Sequence, residues 1–461
     1  MAVLSLETRS EAQVALELAC EHLLAMQDEA GWWRGELQTN VTMDAEDMLL
    51  REFLGVRRPE ESERSAAWIR SQQRADGTWA NFHGGPGELS TTIEAYWALR
   101  LVGDTPEAEH MLRAAEFIRS QGGIERARVF THLWLALFGL WSWDRVPSLP
   151  PEIVLLSRRI PLNVYDFACW ARQTIVALSL VKARRPVRSL EFDLQELHAP
   201  PGHSTAHVAG QGSGSSRWLA RLDRVLRRYE AHPIGALRAR AIARAERWIV
   251  ERQESDGSWG GIQPPWVYSL IALHLGGYAL EHPVMKKGLE GLESFMVEDH
   301  DDAVGVGAPP GPSRRLEACQ SPVWDTALAM LALSDAGVEA EHPAMVRGAQ
   351  WLLDEEVTVR GDWSIARPAL APGGWAFEFA NVNYPDVDDT AEVALALARL
   401  TDGGAQELQA LRGRLDGAIR RALRWVEGMQ SSDGGWGAFD ADNTLSLVRE
   451  LPFLDFGEVI D

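Results

Sequence analysis

Apolar residues along most of this chain recur at the three- and four-residue spacing of α-helices. The segments AYWALRLVG, VWDTALAMLAL and AEVALALARL show this spacing clearly. Such spacing places the apolar side chains on one face of a helix. No run of alternating β-branched residues bounded by turns is present, so the pattern predicts an all-α fold without a sheet of any size.

Capping chemistry predicts where two of these helices begin. Thr91 and Glu94 in STTIEAYWAL fit a capping box, in which two side chains of the first turn each bond the backbone beside the other. Asp389 and Glu392 in DDTAEVALAL fit the same motif with aspartate as the cap. These positions predict helix caps at Thr91 and at Asp389.

A short pattern repeats along the chain: an aromatic residue, a glutamine five residues later, and a tryptophan six residues after that. The copies are Gln73 with Trp79, Gln253 with Trp259, Gln430 with Trp436, and two weaker ones, Gln27 with Trp33 and Trp351 with Trp363. Each copy lies at a predicted helix end and contains a glycine. The repetition predicts helix pairs joined by tryptophan-bearing turns.

Composition narrows the class of partner. The chain has 461 residues, enough for two domains that enclose a large ligand. Its net charge of -21 repels phosphate groups and argues against nucleic acid as a partner. With 19 Trp against 6 Tyr, the chain uses indole side chains to an unusual degree. No apolar stretch is long enough to cross a bilayer.

Two segments interrupt the helical pattern, Ala199 to Ser216 and Asp301 to Arg315. Both are rich in glycine together with proline or serine, a composition typical of connectors. We interpret the first as a surface loop inside a domain. The second is expected to lie near a domain junction.

The sharpest candidate for chemistry is the sequence DVDD, with Asp386, Asp388 and Asp389, directly after Pro385. Acidic residues at a helix start cap the helix and interact well with its dipole, which is the simpler interpretation. Three carboxylates within four residues exceed what capping requires, and close like charges keep at least one protonated. A protonated carboxyl shielded from water is what protonation of an alkene needs.

Aromatic side chains would stabilise a carbocation formed beside such an acid, whereas water would quench it. Trp170, Trp324 and Phe377 lie outside the repeated turns and are candidates for this lining. Ordinary core packing is the competing interpretation for each of them, and it is the commoner role of a single buried aromatic.

Several segments, in this order, resemble squalene-hopene cyclases. They are NVTMDAE, PLNVYDFACWAR, GGIQPPWVYSLIAL, SPVWDT, GGWAFEFANVNYPDVDDTA, and GGWGAFDADN followed by LPFLDFGEV. The resemblance extends from about Leu18 to the last residue. It implies two α/α barrels with QW-type turns, the second of them incomplete. Residues 1–36 then supply a helix of the acid-bearing barrel, residues 37–300 form the inserted barrel, and residues 301–461 form the first part of the acid-bearing barrel.

The resemblance also implies an isomerase that converts squalene to hopene or hopanol by proton-initiated polycyclisation, without a cofactor or a metal. By position, Asp388 matches the proton donor and Asp386 and Asp389 match supporting carboxylates. Glu46 matches a glutamate that contacts this acid cluster. The residues that match the substrate cavity are Trp170, Trp324, Phe377, Gln263, Pro264, Tyr268, Phe439, Phe453 and Phe456.

Further expectations concern partners. Squalene is taken up from the membrane in this family, so the resemblance implies peripheral, monotopic attachment on the cytoplasmic side of the cell membrane. A homodimer is left open. The family's chain continues past GEVID, so the resemblance predicts a C-terminally truncated, poorly active chain that a complementary C-terminal chain would complete. Two alternatives remain: a class II diterpene cyclase, and a non-catalytic α-toroid that binds an apolar ligand or a partner chain.

Overall fold

The computed structural model of the chain describes residues 10–199, 214–299, 311–401, 406–451 and 459–461. Helices dominate these residues, and the sheet structure among them consists of two short paired strands. The predicted all-α fold of helix pairs is therefore confirmed.

The α-helices of the described residues are α1 (Glu11–Ala25), α2 (Thr42–Leu54), α3 (Pro59–Ser71), α4 (Leu89–Val102), α5 (Glu109–Ser120), α6 (Val129–Leu137), α7 (Cys169–Arg184), α8 (Gly214–Ala231), α9 (Gly235–Val250), α10 (Gln263–Leu275), α11 (Pro283–Ser294), α12 (Pro322–Asp335), α13 (Pro343–Asp354), α14 (Trp363–Ala366), α15 (Val387–Ala398) and α16 (Gln406–Gly428). Short 3-10 helices cover Ile124–Arg126, Pro151–Leu155, Val164–Asp166, Gln195–Leu197 and Ser446–Glu450. The strands are β1 (Met296–Asp299) and β2 (Ser313–Leu316), paired antiparallel with Met296 opposite Leu316.

The interpretation of residues 301–315 as a connector is wrong for the last of these residues, because strand β2 begins at Ser313. Its charged side chains find partners, since Arg315 pairs with Asp299 of β1 and the buried Arg314 pairs with Glu293. Residues 300–310 lie outside the described residues. The other predicted connector falls mostly in residues 200–213, which are also outside them, and α8 already begins at Gly214.

The chain forms two compact units. The smaller comprises Met1–Glu36 and Gln320–Asp442, with α1 and α12–α16, and the larger comprises Leu37–Cys319 and Asn443–Asp461, with α2–α11 and both strands. Residues 311–319, 443–451 and 459–461 therefore group with the larger unit. The predicted domain limits after residues 36 and 300 stay a prediction.

Helices buried on nearly all sides alternate with helices buried on one side. In the larger unit, α4 and α10 bury almost every residue, whereas α3 and α9, which precede them, bury a single stripe. In the smaller unit, α16 likewise buries one stripe. A helix that is apolar all round belongs in a core, while a striped helix covers it from outside. The pairs α3–α4 and α9–α10 thus each consist of a covering helix followed by a core helix.

The Gln–Trp turns are defined as the residues from the repeated glutamine to the repeated tryptophan, and those of Gln73 and Gln253 connect α3 to α4 and α9 to α10. In each complete turn the indole Nε1 donates to a carbonyl ten residues earlier, at 2.7 Å. The glutamine Nε2 donates to the carbonyl of the turn's glycine at 2.8–3.1 Å. These bonds satisfy backbone groups that the helix end leaves free. The predicted structural role of the turns is confirmed by this geometry.

The fifth copy is organised differently from the prediction, which paired Trp351 with Trp363. The indole Nε1 of Trp375, not that of Trp363, donates to a carbonyl of the preceding helix, Leu352 O, at 2.6 Å. Trp363 instead packs edge-on against Trp425 at 5.7 Å between ring centroids. The reason is that residues 361–373 are inserted between the helix end and the tryptophan, so spacing alone selects the wrong one.

Both predicted helix caps are wrong. The cap of α4 is Glu88, whose carboxylate accepts the N–H of Thr91 at 2.6 Å. The cap of α15 is Asp386, not Asp389. Each helix therefore starts about one turn earlier than predicted, because an acidic side chain upstream already satisfies the first free N–H groups.

Candidate functional site

The start of α15 is fixed by bonds to two other segments of the smaller unit. The N–H of Asp386 donates to Trp375 O at 2.9 Å, and the N–H of Trp375 donates to the Thr390 hydroxyl at 2.9 Å. The N–H of Val387 donates to Ala438 O at 2.8 Å. The three aspartates are therefore presented from a helix start whose backbone is held on both sides.

Asp386 and Asp389 form a buried pair of carboxyl groups, with 3% and 2% of their surface exposed. The N–H of Asp389 donates to Asp386 Oδ1 at 2.7 Å. Burial, followed by the negative charge of Asp386, raises the pKa of Asp389 to about 10. Asp389 is thus neutral at pH 7, and its Oδ1 has no hydrogen-bond partner within the described residues.

Asp388 differs from the expectation of an acid sheltered from water, because its side chain is exposed. Successive helix residues point about 100° apart, so burial of Val387 and Asp389 turns Asp388 to the opposite face. Leu395, seven residues further on, shares that face and is 57% exposed. In the described structure this face of α15 is open.

Three of the predicted aromatic residues lie in the same unit as the acid cluster, defined here as Asp386, Asp388 and Asp389. Trp324 and Phe377 are partly buried, and their segments are joined by a bond from the N–H of Val323 to Phe377 O at 3.4 Å. Phe439 is partly buried and directly follows Ala438, which binds the start of α15. The structure thus gathers Trp324, Phe377 and Phe439 on segments that adjoin the acid cluster.

The sequence interpretation missed two polar residues of this region. Glu378 is buried, and its carboxylate accepts the Asn381 amide at 3.1 Å. The charge of Glu378 also contributes to the raised pKa of Asp389. Neither residue belongs to a recognisable spacing, so nothing in the sequence beyond their proximity to the DVDD segment would have indicated them.

Glu46 lies in the larger unit, on α2, and the acid cluster lies in the smaller one. Its carboxylate accepts the Nε2 of Gln263 at 3.4 Å. The structure therefore unites Glu46 with Gln263, two residues that the sequence interpretation had assigned to different regions. The expected contact of Glu46 with the acid cluster stays a prediction.

Around Glu46 lies a buried polar cluster. Burial, followed by the charge of Glu94, raises the pKa of Glu46 to about 8, and burial also raises the pKa of Glu94. Arg128 donates to Glu94 at 2.8 Å and partly compensates the two carboxyl groups. The Tyr268 hydroxyl is fully buried without a hydrogen-bond partner within the described residues. Two close acids of which one is neutral can take up or release a proton.

The remaining predicted site residues are spread over the chain. Trp170 is partly buried at the start of α7, and Pro264 is partly buried at the second position of α10. Phe453 and Phe456 fall in residues 452–458, outside the described residues. Across the parts of the chain that are described, no group of three or more His, Cys, Asp or Glu side chains is placed to hold a metal ion.

Comparison with known proteins gives the relationship directly. Residues 16–301 match the squalene-hopene cyclase N-terminal domain, and residues 320–461 match the squalene-hopene cyclase C-terminal domain. The chain is 47% identical over 453 residues to a squalene–hopene cyclase of Alicyclobacillus acidocaldarius, covering 97% of this chain and 68% of that protein. It is 36% identical over 459 residues to a squalene–hopene cyclase of Zymomonas mobilis, with 98% and 68% covered.

A third relative carries a different name. Over 452 residues the chain is 34% identical to a dammaradiene synthase of Dryopteris crassirhizoma, which covers 97% of this chain and 63% of that protein. A fold of helix pairs with Gln–Trp turns and a buried acid pair is thus found in a chain whose relatives are terpene cyclases. The chain belongs to the squalene-hopene cyclase family. Among its described helices, none is both long and apolar enough to cross a membrane.

Proposed function

We propose that this chain is a class II triterpene cyclase that acts on squalene, an isomerase-type reaction started by proton transfer to a terminal double bond. The observation that carries the proposal is the buried Asp386–Asp389 pair, in which Asp389 is held neutral. A hydrocarbon substrate offers no group to bind ionically, so an acid in apolar surroundings is the chemistry it requires. Relatives named as squalene–hopene cyclases support the choice of substrate.

Within the acid cluster, Asp388 is the proton donor by its match to the family motif. A carboxyl with a pKa of about 10 is a poor acid, so Asp389 is better suited to a supporting role. Neutral Asp389 adds no negative charge beside Asp388. Donation by Asp388 requires that the open face of α15 be covered while substrate is bound, because water is a far stronger base than an alkene.

Trp324, Phe377 and Phe439 stabilise cationic intermediates. Phe377 and Phe439 lie on segments bonded to the start of α15, and the segment of Trp324 is bonded to Phe377. Ring faces attract cations without acting as bases. No lysine side chain is required for this stabilisation, and an amine would quench the cation. The proposed role of Trp170 is the same and rests on the family match alone.

Glu46 and Gln263 act on the last cation, which is neutralised by loss of a proton or by addition of water. Burial raises the pKa of Glu46 to about 8, so its carboxylate, once ionised, is a stronger base than that of an ordinary glutamate. Gln263 donates to that carboxylate and fixes its position. Pro264 and Tyr268 lie on the same helix as Gln263, and they shape the site at which the last cation is neutralised.

Squalene dissolves in bilayers and not in water, so we also propose peripheral attachment to the cytoplasmic face of the cell membrane. A protein that extracts a hydrocarbon from lipid gains by binding the lipid surface. Sedimentation of the protein with vesicles, at matched lipid and protein concentrations, tests the attachment.

Turnover of squalene tests the proposed function. The purified chain, at catalytic and at equimolar concentration, is incubated with squalene in detergent, and the extract is examined by gas chromatography and mass spectrometry for pentacyclic products. The same chain is incubated with geranylgeranyl diphosphate, the substrate that a class II diterpene cyclase would need. Products from squalene support the proposal; products from the diphosphate alone, or from neither substrate, favour one of the two alternatives.

A further inference from the structure

Lys182, on α7, is a buried lysine with 3% of its surface exposed. Of the 45 lysine and arginine residues in the chain, three are lysines, and the other two, Lys286 and Lys287, are exposed on α11. The chain therefore uses arginine for nearly all of its cations. Lysine differs from arginine in that its amine can lose a proton and then act as a nucleophile.

Two backbone carbonyls hold the amine of Lys182 in place. Its Nζ donates to Trp143 O at 2.5 Å and to Val146 O at 3.0 Å. A neutral amine has two N–H groups, so these two bonds use both of them. The remaining position of the tetrahedral nitrogen then carries the lone pair, which is the reactive part of a lysine nucleophile.

The surroundings of Lys182 favour the neutral amine. Burial, the largest cause, lowers the pKa of Lys182 to about 8. The positive charges of Arg185 and Arg227 act in the same direction. Glu230 and Asp144 oppose them through charge, without a direct bond to Nζ. At pH 8 about half of this amine is neutral, whereas less than about 1% of an ordinary lysine is.

A narrow apolar cavity lies beside Lys182 in the larger unit. It encloses about 340 Å³ of empty space, part of which is open to solvent. Lys182 is the one polar side chain among the described residues that line it. The apolar walls include Val129, Phe130, Leu133, Leu149, Ile175 and Leu178. A cavity of this kind suits an unbranched apolar chain that carries one reactive group at its end.

The segment from Val146 to Leu149 joins the amine to the cavity. Val146 O accepts a bond from the amine, and the side chains of Val146 and Leu149 line the cavity. Side chains of α8 fix this segment, because the N–H of Ser148 donates to Asp223 Oδ1 at 3.1 Å and that of Leu149 to Glu230 Oε1 at 2.9 Å. The amine is therefore held at a fixed place in the cavity wall.

We propose that Lys182 is a covalent binding site for an unbranched apolar aldehyde. The lone pair of Nζ adds to the carbonyl carbon, a proton passes from nitrogen to the carbonyl oxygen, and loss of water leaves an imine. The apolar chain of the aldehyde lies in the cavity, and addition of water to the imine restores both partners. This site rests on the cavity and the amine, so it is independent of the cyclase activity.

Reductive labelling with hexanal tests the site. The full chain is incubated with hexanal at pH 8 in the presence of cyanoborohydride, which reduces an imine to a stable secondary amine. Peptide mass mapping over time then compares the three lysines of the chain. We expect Lys182 to be modified at least tenfold faster than Lys286 or Lys287.

Glyceraldehyde serves as the control aldehyde, because its hydroxyl groups do not suit an apolar cavity. It is expected to modify Lys182 no faster than the two exposed lysines. Lys182→Arg keeps a cation at the position, and we expect it to lose the fast labelling while Lys286 and Lys287 react as before. The thermal midpoint of the variant checks its folding.

The comparison of lysines and aldehydes is made within the wild-type chain, so it does not depend on how any variant folds. Equal rates of hexanal labelling at Lys182 and the exposed lysines overturn the proposal. Labelling of Lys182 by glyceraldehyde as fast as by hexanal overturns it too, since the cavity then selects nothing.

Discussion

Asp389 and Asp386 form a single buried unit, because the N–H of Asp389 donates to a carboxylate oxygen of Asp386 at 2.7 Å. The bond caps α15, as the simpler interpretation of the sequence expects. It also brings a second carboxyl beside the capping one in buried surroundings, which a cap alone does not need. The pair therefore combines a structural role with a store of one proton.

Removing the Asp389 carboxyl changes the pH dependence of stability. The folded pKa of about 10 lies above the ordinary value of 3.8, so the folded chain binds the extra proton between these limits. The contribution of this carboxyl to the free energy of unfolding is fully present below about pH 4. It is lost as the pH rises, by at most about 1.4 kcal/mol per pH unit. We expect Asp389→Asn to abolish this decline. The free energy of unfolding of the variant, relative to that of the wild type, therefore rises from pH 5 to pH 9.

Urea unfolding at pH 5, 7 and 9 measures the effect. Equal slopes for wild type and Asp389→Asn would show that Asp389 is ionised in the folded chain.

The glutamines of the turns should differ in their contribution to stability. Gln73 fastens two helices by two part-buried bonds, whereas Gln430 makes one local bond at an exposed position. We expect Gln73→Ala to lower the free energy of unfolding by about 1–3 kcal/mol and Gln430→Ala by less than about 0.5 kcal/mol. Urea unfolding of both variants at pH 7 provides the comparison, and equal losses would refute the role of the second bond.

The effect of close packing at Gly257 can be separated from the effect of its backbone conformation. Gly257 and Gly277 both have positive φ, +96° and +92°, but a Cβ on Gly257 would lie 2.2 Å from Lys287 O while one on Gly277 meets nothing within 4 Å. Alanine at either position is strained by about 1 kcal/mol. Gly257→Ala is expected to cost at least about 2 kcal/mol more than Gly277→Ala, because backbone must move. Thermal unfolding of the pair measures the difference; similar midpoints would contradict it.

Glu46→Gln should alter which products form more than how fast squalene is consumed. The substitution removes the base proposed for the last cation but leaves the acid cluster intact. We expect a changed ratio of alkene to alcohol products with substrate consumption within about threefold of wild type. Gas chromatography of the extract reports both quantities at once. Loss of all products with folding intact would mean that Glu46 acts at the start of the reaction, as the sequence resemblance first implied.

The Gln–Trp turns were predictable because their chemistry is local. A fixed spacing of six residues sets the bonds from glutamine and indole in every complete copy, including Gln73 with Trp79. The fifth copy was not predictable, because an insertion that no spacing rule anticipates separates Trp375 from its acceptor Leu352. The caps of α4 and α15 were also predicted wrongly, because each helix start offers more than one residue able to cap it, and the caps are Glu88 and Asp386.

The surroundings of Glu46 lay beyond sequence reasoning altogether. Gln263 is 217 residues away and meets Glu46 only because α2 and α10 pack together. Glu94 was interpreted as a capping residue, yet its carboxylate is buried and bound to Arg128. Exposure of Asp388 likewise follows from the direction in which α15 turns its faces, which depends on what buries Val387 and Asp389.

Proton transfer from Asp388 to squalene is tested most directly by isotope labelling. Wild type and Asp388→Asn, each shown to be folded by circular dichroism, are incubated with squalene in deuterium oxide at equimolar concentration, and the pentacyclic products are analysed by mass spectrometry. We expect one deuterium per hydrocarbon product from the wild type and no product from Asp388→Asn. Labelled product in undiminished yield from Asp388→Asn, or unlabelled product from the wild type, would contradict it.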